Sequence, residues 1–229
     1  MIAVLGNSHI ACLKAAYGRM LDTPQITFFA ARGTHMAALN ICDATLYSQN
    51  PKVTQFLRHT SGGQSQIALG AYRQIIICGL TRDVTRSFDS LPMTSAAVFD
   101  LALQGYWQTT GALALVKTIR QASNIPISLI HDPLWSKHPP DSPAECWYDT
   151  YLDAAQRLIW DTWDVSLIPQ PRATRTKTCR TKAPYAKAAP QLAVGKPNDQ
   201  ATFAAHEFRH MNASFGALRL RQIANLSIT

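Results

Sequence analysis

The sequence predicts a three-layer α/β sandwich around a central parallel sheet of about five strands. Three observations point there. Short runs that are nearly continuous in apolar residues recur along the chain, helical stretches separate them, and each run stops at a turn rich in Gly or Pro. A strand covered on both faces has no need of alternating polar residues, and parallel neighbours require a long, usually helical, crossover.

The first run, residues 2–5, ends at Gly6 and leads into a helix in which Ile10, Leu13, Ala16 and Met20 recur at spacings of three and four. Residues 25–31 read as a second strand that stops at Arg32-Gly33-Thr34, and 74–78 as a third that stops at Gly79-Leu80-Thr81-Arg82. A helix over about 112–122 precedes a fourth strand at 125–131, which closes at Asp132-Pro133, and a last run at 163–168 ends in Pro169-Gln170-Pro171. Residues 44–72, with SQNPKV and TSGGQS, read as an insertion or a small hairpin. In open parallel sheets ligands bind beyond the carboxyl ends of the strands, so Ser8, Gly33, Gly79 and Asp132 are expected along one edge.

With 229 residues, 47% of them hydrophobic and 16% charged, the chain reads as one domain spanning 1–229, with enough apolar material for a core and no run long enough to cross a bilayer. The opening MIAVLGNSHI lacks the basic and apolar segments of a signal peptide. Five cysteines (Cys12, Cys42, Cys78, Cys146 and Cys179) show no CxxC pairing, so reduced thiols and a cytoplasmic location are expected. The formal charge of +8 is concentrated in 172–187, which reads as a solvated basic loop. No zinc-finger spacing, aromatic RNA-binding motif or basic helix accompanies it, so neither a nucleic acid nor a membrane is an expected partner.

Two places could carry chemistry. Ser8, in Gly6-Asn7-Ser8-His9, follows the first strand at a helix start, where its hydroxyl would be exposed and its N–H could face a developing oxyanion. The bland reading is a serine that only caps the helix. Near the other end, Glu207 and His210 stand three apart; on one helical turn the carboxylate would hold the imidazole tautomer that accepts a serine proton.

Together these blocks resemble the SGNH/GDSL hydrolase family, in which the nucleophile follows strand one and a D-x-x-H motif precedes the final helix. The resemblance carries Val4-Leu5-Gly6-Asn7-Ser8-His9 and Glu207-Phe208-Arg209-His210, followed by Asn212 and Gly216, and it reaches over nearly the whole chain. It implies a flavodoxin-like fold with Ser8 as nucleophile, His210 as general base and Glu207, in place of the usual Asp, as orienting carboxylate. It also implies an oxyanion hole from the N–H groups of Ser8 and Gly33, with Gly62 or Gly63 as fallback. The family's third donor is an Asn in G-x-N-D, where this chain has Gly79-Leu80-Thr81-Arg82. Thr81 is the substitute donor and Arg82 a cationic one, since losing an oxyanion donor costs about 3 kcal/mol of transition-state stabilisation. Asn7, His9, Arg82 and Asp132 are expected to touch substrate.

The expected reaction is hydrolysis of an ester, an O-acetyl or other short acyl group on a small molecule or a carbohydrate, with the basic segment favouring an anionic one, through an acyl-enzyme on Ser8 and with no cofactor or metal. Competing readings are acyl transfer on the same fold, a non-catalytic carbohydrate-binding protein, and a zinc hydrolase built on His206-Glu207-Phe208-Arg209-His210, a literal H-E-x-x-H. The zinc reading lacks a third ligand, because no Asp, Glu, His or Cys follows His210. His35, His59 and His138 read as exposed loop residues, and Trp135, Trp147, Trp160 and Trp163 as core or as the wall of an apolar pocket.

Overall fold

A computed structural model describes residues 1–21, 23–82, 84, 95–136, 147–196, 199, 201–204 and 206–226. His138 and Cys146 lie outside the described residues. Five strands, β1 (Ile2–Gly6), β2 (Ile26–Ala30), β6 (Gln74–Cys78), β7 (Ile127–Ile130) and β8 (Val165–Ile168), form one sheet in the order β2-β1-β6-β7-β8, every neighbouring pair parallel. The expected α/β sandwich is therefore what the chain forms. β1 and β7 are buried at every position, which is why their sequences carry no polar alternation.

Helices α1 (Ile10–Tyr17), α3 (Ala96–Gln108), α4 (Gly111–Arg120), α5 (Tyr148–Ala155) and α6 (Ala213–Leu226) flank this sheet. The intervening helix α2 (Pro51–Ser61) lies against the outer strand β2, where the Thr60 hydroxyl accepts the Ala30 N–H at 3.0 Å and donates to the Phe56 carbonyl at 2.8 Å. That contact occupies part of an edge that would otherwise present unpaired backbone.

Residues 44–72 are more than a hairpin. β3 (Asn40–Cys42), β4 (Thr45–Tyr47) and β5 (Ile67–Ala68) form a second, antiparallel sheet, with α2 between β4 and β5. The β3–β4 hairpin begins before residue 44, and its two turn residues, Asp43 and Ala44, both have positive φ, the twist a two-residue hairpin requires. His59 falls in α2 and not in a loop, although it is exposed as expected. Gly62 and Gly63 close that helix in positive-φ conformations, a structural task.

The basic segment 172–187 exposes Arg172, Lys177, Lys182 and Lys187 as expected but is in part buried. Thr174, Arg180 and Thr181 are buried, and Gln170 donates to both threonine hydroxyls, at 3.1 and 2.9 Å, so the segment is knitted to the core by polar contacts that a hydropathy pattern does not register. Arg175 pairs with Asp149 at 3.1 Å and lies over the Tyr148 ring. Cys12, Cys42 and Cys78 are free, but Cys179 is disulfide-bonded, which corrects the expectation of reduced thiols throughout. Among the described residues no helix is long and apolar enough to cross a membrane.

The chain closes where α6 packs on α1. A side chain at Gly216 would place its Cβ 2.0 Å from the Cys12 carbonyl oxygen, so only glycine permits this approach of the two backbones. Asn212 starts α6, its Oδ1 accepting the Ser214 and Phe215 N–H groups, while its amide donates to the carbonyls of Pro184 and Lys187. Gly216→Ala should force the helices apart and cost about 1–3 kcal/mol by overpacking. That corresponds to a fall of roughly 2–4 °C in Tm for each kcal/mol at this chain length, read by thermal unfolding; an unchanged Tm would show that the contact yields easily.

Candidate active site

Ser8 comes two residues after the end of β1, following Asn7, in the turn that opens α1. Asn7 Oδ1 accepts the His9 N–H at 3.1 Å, and Ser8 makes no side-chain capping bond to the helix. The Ser8 hydroxyl is directed elsewhere, with Oγ 2.9 Å from His210 Nε2 across 202 residues of sequence. Among the described residues no acceptor takes the Ser8 N–H. No side chain caps α1, Asn7 closing only the turn before it, and the serine meets the imidazole instead.

His210 does not sit on a helix. Residues 206–212 form an irregular segment before α6, so the expected sharing of one helical turn by Glu207 and His210 is not what brings them together. The segment is held instead by the Ser136 N–H, which donates to the Phe208 carbonyl at 3.0 Å, and by Asn212. Glu207 Oε1 accepts the Phe208 and Arg209 N–H groups at 3.1 and 2.7 Å and stands 3.6 Å from His210 Nδ1. At 3.6 Å the pair is an electrostatic contact just beyond hydrogen-bond distance, and the buried Nδ1 has no partner within that distance. Without a helix the H-E-x-x-H spacing does not present two imidazoles on one face; His206 is exposed, and no group of three potential ligands is gathered among the described residues.

Two rings flank the imidazole. The His9 ring lies 4.9 Å from it, centroid to centroid and inclined by 27°, and the Phe203 ring 3.9 Å away at 15°. Phe203 is placed by a bridge between two loops, its N–H donating to the Ala189 carbonyl at 2.8 Å. Burial lowers the His210 pKa below the usual histidine value, with the Glu207 carboxylate acting against it, so the ring is neutral near pH 7, as a general base must be. Burial works against the charge of Glu207, but the Arg209 N–H and the neighbouring His210 outweigh it and keep the carboxyl ionised below its ordinary range.

A cavity of about 210 Å³ opens beside Ser8, lined by Ser8, His9, Asp132, Pro133, Trp135, Arg209 and His210. A larger one, about 350 Å³, lies around Asp149, Asp153, Gln156 and Arg172, but it holds neither the serine nor the base. Asp132 Oδ1 approaches His9 Nε2 at 3.5 Å. Asn7 and Asp132 converge over Gly79, where an added Cβ would fall 2.5 Å from one side chain and 2.8 Å from the other, and where φ is +78°. Ser8, Gly79 and Asp132 therefore share the sheet edge as expected. Gly33 is exposed at the end of the adjoining strand β2 and is not part of the cavity wall. Thr81 uses its hydroxyl to accept the Asp132 N–H at 2.8 Å, and Arg82 is exposed; neither lines the cavity.

Nothing in the sequence marks Phe203 or Arg209 as site residues, and Trp135 fits core or pocket wall equally. Trp135 lines the cavity beneath the Arg209 guanidinium, 4.9 Å from the ring centroid, whereas Trp160 is core. His131, equally unmarked in sequence, has its Nε2 2.6 Å from the Tyr148 hydroxyl. Comparison with known proteins gives no significant match to a protein-family model, to a curated protein or to a solved structure.

Burial, assisted by neighbouring His210 and His131, lowers the His9 pKa to about 3, and burial with the nearby Arg219 lowers that of His131 to about 3. Both histidines are neutral in the folded chain and take up a proton only on unfolding. Their contribution is therefore complete above the ordinary value of 6.5 and is lost as pH falls toward 3. Each unfolded imidazole is half protonated at pH 6.5, so the slope climbs toward about 1.4 kcal/mol per pH unit for each only below that pH; lowering the pH from 6.5 to 5 should remove roughly 3 kcal/mol and about 10 °C of Tm. His131→Gln should flatten that dependence by about half; a Tm that is level over this range would contradict the burial of both rings.

Proposed function

We propose that the protein is a serine hydrolase of the SGNH/GDSL kind that cleaves a short acyl ester. The observation that carries this reading is the 2.9 Å contact between Ser8 Oγ and His210 Nε2, joining residues from the two ends of the chain beside a cavity. A neutral imidazole with its proton on Nδ1, the nitrogen that faces Glu207, can accept the Ser8 proton at Nε2 as Oγ attacks an ester carbonyl. The tetrahedral oxyanion would be met by the Ser8 N–H at the start of α1. Collapse expels the alcohol, which takes the proton from His210, and water then releases the acyl group by the same route in reverse.

The second donor expected from the sequence, Gly33, lies outside the cavity, which leaves the Ser8 N–H as the donor that the geometry supports. That economy is the one feature favouring a non-catalytic binding role. The small cavity suits an acetyl or similarly short acyl group, on a small molecule or a carbohydrate. Arg209, laid over Trp135 without a carboxylate partner among the described residues, supports an anionic group elsewhere on the substrate. For location, the Cys179 disulfide weighs against the expected cytoplasm, because such bonds persist in oxidising compartments.

A fluorophosphonate probe should label the wild type and not Ser8→Ala. On a small acetyl ester, Ser8→Ala and His210→Ala should each lower kcat by about a thousandfold or more, with the double variant scarcely worse. Equal labelling of wild type and Ser8→Ala, or no labelling of a folded wild type, would overturn the reading. The kcat/KM of the wild type should rise with pH through a midpoint below 6.5, the ordinary histidine value, since only neutral His210 accepts the proton. Because the Glu207 charge favours imidazolium, Glu207→Gln should move that midpoint to still lower pH while reducing kcat by less than about tenfold. An upward move would contradict the assigned contact.

A further inference from the structure

We propose that Phe203 and His9 position the His210 ring from its two faces, and that this stacking replaces the hydrogen-bonded carboxylate on which a catalytic histidine usually relies. The inference rests on the reading of His210 as general base and says what holds it. Nδ1 of His210 is buried and makes no hydrogen bond, and Glu207, the only carboxylate in contact with the ring among the described residues, is 3.6 Å away with Oε1 engaged by two backbone N–H groups. Something else must fix the plane in which Nε2 meets Ser8 Oγ. The near-parallel Phe203 ring at 3.9 Å and 15°, and the His9 ring at 4.9 Å and 27°, do that directly. The two flanking rings make no ring contact with each other, as expected if they occupy opposite faces.

The partners differ chemically. His9 is neutral, held beside Asp132 at 3.5 Å, and adds no charge to the stack. Phe203 presents a π face, which attracts a cation within about 6 Å of its centroid. When His210 becomes imidazolium during the reaction, Phe203 favours that form, as Glu207 does, while burial and the Arg209 guanidinium oppose it. Phe203 is thus a positioning residue that also lowers the energy of the charged intermediate.

The decisive measurement is the His210 pKa by NMR in the full chain, for wild type, Phe203→Leu and Phe203→Tyr. Leucine keeps the site apolar but removes the π face, so the pKa should fall by about half a pH unit, whereas tyrosine should retain it. A residue that only shielded the ring from water would give no change or a rise, and either result overturns the proposal. In parallel, Phe203→Leu should lower kcat by about tenfold with a smaller change in KM, and Phe203→Tyr should restore it. If Phe203→Leu does not fold, the wild type still decides: the His210 ring protons should be shifted upfield by the Phe203 ring current, and shifts like those of an exposed histidine overturn the stack. The titration needs no turnover. A protein inert to esters whose His210 titrates as expected keeps the stack and loses the hydrolase reading, whereas an active esterase indifferent to Phe203→Leu does the reverse.

Discussion

The site depends on one close contact between helices. Gly216 lets α6 approach the Cys12 carbonyl in α1 to a distance that any side chain would block. Because α1 begins two residues after Ser8, and the final helix α6 begins three residues after His210, fixing one helix against the other fixes the serine against the imidazole. Asn212 adds the second restraint by capping α6 while tying it to the loop at 184–187. A contact 202 residues apart in sequence is thereby reduced to the packing of two adjacent helices on one face of a parallel sheet.

The same packing determines the electrostatics. Burial of His9, His131 and His210 along the sheet edge keeps all three neutral near pH 7, and the groups that could charge them, Glu207 and Asp132, stand 3.5–3.6 Å from ring nitrogens without forming hydrogen bonds to them. A neutral imidazole stacked between rings is ready to accept a proton, but forming imidazolium there is opposed by desolvation. Glu207 and the π face of Phe203 offset part of that cost. Arg209 adds a positive charge to the cavity lining and pairs with neither carboxylate.

Much of this was legible because it is local or because it repeats. The parallel strands announce themselves as unbroken apolar runs such as Ile75-Ile76-Ile77, and Ser8 and His210 stand where a strand end and a final helix begin. Glu207 and His210 were read as sharing a helical turn, since three-residue spacing cannot distinguish a turn of helix from a loop held by backbone hydrogen bonds. Phe203 carries no signal of its own; it reaches His210 only because its strand-like stretch bridges residues 189–191. In the segment at 172–187 Arg172, Lys177, Lys182 and Lys187 are exposed as its charge suggests, but Thr174 and Thr181 are buried through bonds to Gln170, and polar residues that satisfy each other look the same in a sequence as polar residues facing water. The Cys179 disulfide escaped for a related reason: an odd number of unpatterned cysteines does not say which are bridged.

The claim on which the account rests is that Ser8 becomes acylated. Quenching the protein in acid during turnover of an aryl acetate, followed by intact-mass measurement and peptide mapping, addresses it without relying on inhibitors. The account predicts an acetyl-sized increment on the peptide that contains Ser8, absent from Ser8→Ala and longer-lived in acid, where His210 is protonated and cannot activate the deacylating water. Turnover with an unmodified Ser8 peptide, or with the acetyl group carried by another residue, would contradict it.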